Sequence, residues 1–272
     1  MISVVIPAHN EATVLPRLLD ALRPGIERQR LSVVVVANGC TDDTAAVARA
    51  AGVPAVELGA GSKIEALNAG DEASTGFPRF YIDADVVVSA QDLEDMAAVL
   101  RPPVLAVAPA LALDDRASSP LVRSYHRYWS RLPTVRHSLA GRGCFGVSEA
   151  GRSRWESFPD VVADDQFVNQ RFAADEVAVV STVSSTVTVP ATLAALVRRK
   201  RRSHRGNLEL AATGATATSR VGWVGALRAE PGLLVHLPAF LAVTLIVRWS
   251  GWRERRSATA SWGADETSRI VS

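Results

Sequence analysis

The chain has 272 residues, of which 48% are hydrophobic and 21% charged, which excludes a disordered, collagen-like or disulfide-scaffold protein. Its length suits one compact domain of about 200–250 residues with an appendage. The net charge of +2 hides an asymmetry: residues 1–190 carry 17 Lys and Arg against 23 Asp and Glu, residues 191–272 carry 13 against 5. A basic tail on an acidic body suits phosphates, on a substrate or on a membrane surface.

Cys40 and Cys144 form neither a disulfide framework nor a metal spacing, and read as small buried side chains. The five histidines show no metal-ligand spacing either. No basic–aromatic interleaving points to nucleic acid. Met1–Ile6 lacks the basic start of a signal peptide, so the body is expected in the cytoplasm.

Residues 2–6 are a β-branched run ended by Pro7, the pattern of a strand buried on both faces. Val14, Leu15, Leu18, Leu19 and Leu22 then repeat at helical spacing within 11–23. A second buried strand spans 31–37. Thr41 is placed to cap a helix over 42–51, with Gly52 after its end. A strand at 53–58, a helix at 62–74, a strand at 79–82, a helix at 92–100 and a strand at 104–108 follow. This alternation predicts a doubly wound α/β sheet whose strand ends share one ligand-binding edge.

The second half is less regular. Helices are expected over 120–132, 163–174 and 192–202, a glycine-rich turn entering a strand over 141–147, and a strand over 177–189. Tyr125, His126, Tyr128 and Trp129 either line an acceptor groove or, more blandly, pack a helix. Gly232–Val247 is almost wholly apolar, but sixteen residues span only about 24 Å of a ~30 Å hydrocarbon core. His236, Pro238 and the arginines from Arg248 onward favour an interfacial helix, with a buried core helix and a true span as alternatives. Residues 257–272 are Ser/Thr/Ala-rich and read as disordered.

Asp83-Ala84-Asp85 follows the strand at 79–82. Two carboxylates at i and i+2 on extended chain project the same way and can hold one hard divalent cation. The plain alternative is a solvated turn. Asp164-Asp165 follows an apolar stretch and offers either a helix cap or a general base.

In order along the chain, Val4–Glu11, Val36–Thr44, Ser62–Gly70, Asp83–Asp85 and Asp164-Asp165 resemble five blocks of the family 2 glycosyltransferases. Gly141–Gly146 is a looser sixth match to their acceptor-side glycine loop. The resemblance covers about 2–205. It implies a GT-A type, Rossmann-like mixed sheet over 1–205 and an inverting transfer of a sugar, of hexosyl type, from a nucleotide-diphosphate donor to a hydroxyl acceptor; the helical, membrane-associating tail expected over 206–256 rests separately on Gly232–Val247 and its flanking arginines.

The resemblance also implies roles. Pro7, His9, Asn10 and Glu11 would cradle the nucleoside, and Asn38 would meet the base. Asn38 stands where the family usually has Asp; its amide can still accept a uracil N3–H, so a UDP-sugar is the favoured donor. Lys63, Asn68 and Arg202 would serve the donor, Lys63 by neutralising diphosphate oxygens. Asp83 and Asp85 would hold Mn²⁺ or Mg²⁺. Asp165 would be the base, beside Asp164, which replaces a Glu. Gly143, Cys144 and Phe145 would form the acceptor loop. The run Arg198–Arg205 would close over the diphosphate, bind anionic lipid or cap a helix. The acceptor, with a lipid-linked sugar as one candidate, would be met at the inner face of the cell membrane. A non-catalytic, scaffolding relative is the rival reading; a pyrophosphorylase lacks support because no glycine- and arginine-rich loop follows the first strand.

Overall fold

The computed structural model describes residues 1–59, 61–160, 163–212 and 223–254. Its strands are β1 (Ile2–Ala8), β2 (Leu31–Asn38), β3 (Ala55–Leu58), β4 (Arg79–Ile82), β5 (Ala106–Asp114), β6 (Cys144–Val147) and β7 (Val177–Thr188). Its helices are α1 (Leu15–Glu27), α2 (Thr44–Ala50), α3 (Lys63–Glu72), α4 (Ala90–Val99), α5 (Pro120–Trp129), α6 (Pro133–Arg136), α7 (Glu149–Arg152), α8 (Asp164–Asn169), α9 (Leu193–Ala212), α10 (Trp223–Ala229) and α11 (Leu237–Glu254).

The strands form one mixed sheet in the order β3-β2-β1-β4-β6-β5-β7. β3, β2, β1 and β4 run parallel, β6 is antiparallel to β4, and β5 is antiparallel to β6. β1 is buried along its whole length, as a Val/Ile run covered on both faces must be. Val4, Ile6, Val33 and Val35 face the apolar stripe of α1 (Leu15, Leu18, Leu19, Leu22) with Leu93 and Met96 of α4. Val5 points the other way, against α3: a Cβ added at Gly70 would overlap it. Helices therefore cover both faces, the doubly wound arrangement read from the alternation. The chain steps from β1 to β2 and β3 on one side and returns to β4 on the other. The carboxyl ends of β1 and β4 thus flank a topological switch point, where such sheets bind ligands.

The chain divides into two compact units. The first comprises Met1–Ala112, Leu139–Asp160 and Asp164–Thr186; the second takes Leu113–Ser138, Ala163 and the chain from Val187 onward. The boundary near 205 read from the sequence falls inside α9. In the second unit, Val243 and Val247 of α11 pack on Val122 and Tyr125 of α5 and Leu196 of α9.

Three local expectations change. α2 begins at Thr44, with Asp43 rather than Thr41 at its N-cap. The Asp42 carboxylate accepts the Thr44 N–H at 3.0 Å and the Ala12 N–H at 3.1 Å, so it both shapes the turn and reaches a second loop. α4 begins at Ala90, two residues early, because Ser89 and Asp92 form a reciprocal capping box. The helix expected over 163–174 stops at Asn169, whose side chain accepts the Leu139 N–H at 2.9 Å. The expectation for 257–272 lies outside the described residues.

Candidate active site

An open cleft of about 320 Å³ lies at the switch point, lined by Pro7, Lys63, Asp83, Gly143, Asp164 and Asp165 among others. Each element delivers its residue for a local reason. β1 ends at the buried Pro7–Ala8. Ser62 caps α3 through the Glu65 N–H, which makes Lys63 the first helical residue. β4 pairs with β6 through Tyr81–Phe145 and Ile82–Cys144, and the ladder continues with the Asp83 N–H donating to the Gly143 carbonyl at 2.8 Å. Gly143 has φ +63°, and a Cβ there would collide with Val86 and come within 3.3 Å of Asp83 Oδ2. Glycine is therefore what lets the loop close on this aspartate.

Lys63 joins the two acidic motifs. Its Nζ lies 2.8 Å from Asp83 Oδ1 and 3.1 Å from Asp164 Oδ2. The Asp164 side chain is nearly fully buried, and burial pushes its carboxyl up to about 6, against the opposing pull of Lys63 and with the added push of Asp165 and Asp83. Burial works against the charge of Lys63, but the three carboxylates outweigh it and hold the ammonium well above the usual lysine range. Asp165 is half-buried and accepts two backbone N–H groups, from Gly141 at 2.7 Å and from Gln166 at 2.7 Å. These bonds fix the plane of its carboxylate.

The loops that follow β1 and β2 are laced together. Asn10 adopts φ +56° and its Oδ1 accepts the Thr41 N–H at 2.8 Å. The Glu11 N–H donates to Thr44 Oγ1 at 2.9 Å, and the His9 imidazole Nδ1 bonds the Asn38 carbonyl at 2.7 Å. Asn38 is 2% exposed, yet its side-chain Oδ1 has no hydrogen-bond partner. A buried, unmatched acceptor at a strand end is costly unless a donor arrives.

Other expected residues are placed differently. Asn68 spends both ends of its amide on one backbone site: Oδ1 accepts the Phe158 N–H at 2.8 Å and Nδ2 donates to the Phe158 carbonyl at 3.1 Å. Arg202 is exposed on α9, in the second unit. Asp85 is exposed beyond β4. Phe145, by contrast, lines the cleft together with Cys144 as expected, and stacks on Tyr81 with centroids 4.9 Å apart.

Sequence reasoning passed over Arg142, which is 1% exposed and donates to the Pro109 carbonyl at 2.7 Å. Its own carbonyl accepts from Ser185 Oγ at 2.9 Å, so the glycine loop is pinned from below. An arginine between two glycines was the available signal. Asp71 was also missed: it pairs with Arg79 and Arg152 and accepts from the Tyr81 hydroxyl at 2.6 Å, bracing the end of α3.

Among the described residues no three His, Cys, Asp or Glu side chains gather as a metal cage. The donor set still fits a hard divalent ion. One or two carboxylates suffice when substrate phosphates and water complete the shell. Asp83, moreover, already grips a cation, the Lys63 ammonium.

No curated protein matches this chain. Among solved structures, it resembles the mannosyltransferase PcManGT from Pyrobaculum calidifontis in complex with GDP-Man and Mn²⁺, at 21% identity over 95% of this chain and 76% of that one, TM-score 0.62. Glucosyl-3-phosphoglycerate synthase from Mycobacterium tuberculosis, in complex with Mn²⁺, UDP and glucosyl-3-phosphoglycerate, is also 21% identical, over 79% of this chain and 81% of that one, TM-score 0.59. TarS from S. aureus shares 16% identity over 88% of this chain and 42% of its own, TM-score 0.55. These likenesses carry the GT-A-like fold. The profile of glycosyl transferase family 2 matches residues 3–144, more than half the chain, from β1 to the first residue of β6, and the protein belongs to that family.

Proposed function

We propose that this protein transfers a hexosyl group from a nucleoside-diphosphate donor to a hydroxyl acceptor, with inversion at the anomeric carbon. The observation that carries the reading is the meeting of Asp83, Lys63, Asp164 and Asp165 in one cleft at the switch point. UDP is the favoured nucleotide, because the partnerless Asn38 Oδ1 can accept an imide N–H such as uracil N3–H. Relatives of this fold bind GDP-Man or UDP with Mn²⁺.

Asp83 and Asp85 would hold Mn²⁺ or Mg²⁺, which supplies positive charge against the departing diphosphate. Pro7, His9, Asn10 and Glu11 orient the nucleoside through the laced loops. Lys63 pairs with diphosphate oxygens. Gly143, Cys144 and Phe145 face the acceptor. Asp165, its plane fixed by two backbone donors, takes the proton from the acceptor hydroxyl as that oxygen attacks. Asp164 holds Lys63 in place. The acceptor is lipid-linked and is met at the cytoplasmic face of the membrane, a reading supported by the apolar segment Pro231–Ser250.

The test has two arms. Thermal stabilisation is measured with UDP, GDP, CMP and dTDP, each with and without Mn²⁺; UDP with Mn²⁺ should give the largest shift. Turnover is then compared between wild type and Asp165→Asn, with a loss of roughly 10²-fold or more expected and donor binding retained. Full turnover in the variant would reject Asp165 as base. Nucleotide binding without turnover on any acceptor would favour a non-catalytic relative.

A further inference from the structure

We propose that the second unit docks on an anionic lipid surface through one face of α11, which lies in the membrane plane rather than crossing it. This deepens the membrane part of the proposed function, on which it rests, and is independent of the chemistry in the cleft. Pro231–Ser250 has a mean hydropathy of 1.7 but is only 22% buried. A core helix of that composition would be mostly covered. Here a narrow stripe, Ala239, Val243 and Val247, is buried at i, i+4 and i+8. The opposite arc presents Leu241, Ala242, Leu245, Ile246 and Trp249 to the outside. Leu245 is 65% and Trp249 59% exposed, and Val235 in the preceding turn is 73% exposed. A continuous apolar arc over about two and a half turns marks an interaction surface.

Two features select the bilayer and the orientation. The helices packed against the buried stripe, α5 and α9, carry the exposed Arg123, Arg127, Arg198, Arg199 and Arg202. A span would draw these helices toward hydrocarbon, where arginine is disfavoured. The α-helix Leu237–Glu254 is about 27 Å long, but its uncharged part, Leu237–Val247, covers only about 16 Å of the ~30 Å core before Arg248. In the interface, the same residues are complementary: the arc enters the acyl boundary, Trp249 sits at headgroup depth, and the arginines meet anionic headgroups.

Full-length protein is floated with vesicles of phosphatidylcholine alone and of phosphatidylcholine with phosphatidylglycerol. The expected result is binding to the anionic vesicles, release by alkaline carbonate, and a loss of the bound fraction of more than about tenfold in L245E/W249E. Thermal stabilisation by UDP with Mn²⁺, unchanged in that variant, certifies its fold. Carbonate-resistant binding would overturn the in-plane orientation while leaving the membrane reading intact. Equal binding to neutral vesicles would overturn the anionic partner. A dimer dispersed by the same substitutions, without vesicle binding, would mean that a second copy covers the arc. No flotation of donor-binding protein would overturn this proposal together with the membrane part of the proposed function, and leave the transfer reaction untouched.

Discussion

Replacing Lys63 with Met should tighten the binding of Mn²⁺ to the nucleotide-free protein and weaken the binding of nucleoside diphosphate. The two effects have one origin. In the structure the ammonium occupies Asp83 Oδ1 at 2.8 Å, so a metal ion arriving at Asp83 must first displace or tolerate it. Two unit charges at that distance attract by about 1.5 kcal/mol in water. The Lys63 and Asp83 side chains are 37% and 41% exposed, so screening and the entropy of ordering reduce this to about 1 kcal/mol. That corresponds to about fivefold in the Mn²⁺ dissociation constant. The diphosphate loses a cationic partner in the same variant and should bind several-fold less tightly. Titration calorimetry with Mn²⁺ alone, with UDP in saturating Mn²⁺, and with Mn²⁺ in saturating UDP closes the cycle. Wild type should show positive coupling between metal and nucleotide, and Lys63→Met should lose most of it. Unchanged or weaker Mn²⁺ binding in the variant would refute the argument.

Burial holds Asp164 near 6, above its unfolded value of about 3.9, so the folded state binds more protons and stability falls as pH rises from about 4 to 6. Asp164→Asn, neutral throughout, should raise Tm at pH 7 by about 2–4 °C while lowering turnover; an unchanged or lower Tm would contradict the burial argument. Asn68→Ala removes both bonds to Phe158 and should cost about 1–3 kcal/mol, seen as a lower urea midpoint at constant slope. Lys200 lies 3.8 Å from the Trp129 ring centroid, and burial with Arg199 lowers it to about 7. The folded state then binds fewer protons than the unfolded one between about 7 and 10.5, so stability should rise with pH across that window. Lys200→Met should flatten the rise in a denaturation series over pH.

The features legible in the sequence are those written in local periodicity. β1 and β2 are continuous β-branched runs, and α1 repeats leucines at helical spacing; both patterns state their burial without reference to distant chain. The carboxylates were legible as motifs because their spacing is short. What stayed hidden depends on partners far along the chain. Nothing near Lys63 says that it bridges Asp83 and Asp164. Nothing near Asn68 says that its amide closes on Phe158, ninety residues away. The capping errors have a different cause. Thr41, Asp42 and Asp43 are all competent caps, and the choice is made by the Ala12 N–H, which recruits Asp42 from another loop.

The ladder between β4 and β6 bears on how such an enzyme can diversify. Asp83, proposed to serve the donor's phosphate side, and the loop proposed to face the acceptor are hydrogen-bonded to each other in a single antiparallel pair, with Gly143 as the contact. Arg142 and Ser185 stiffen that pair from beneath. Donor and acceptor recognition are therefore not separable modules at this edge. Loop grafts across 141–147 that aim at a new acceptor will carry a shift of Asp83 with them. Lineages and engineers alike have freer room where the ladder does not reach.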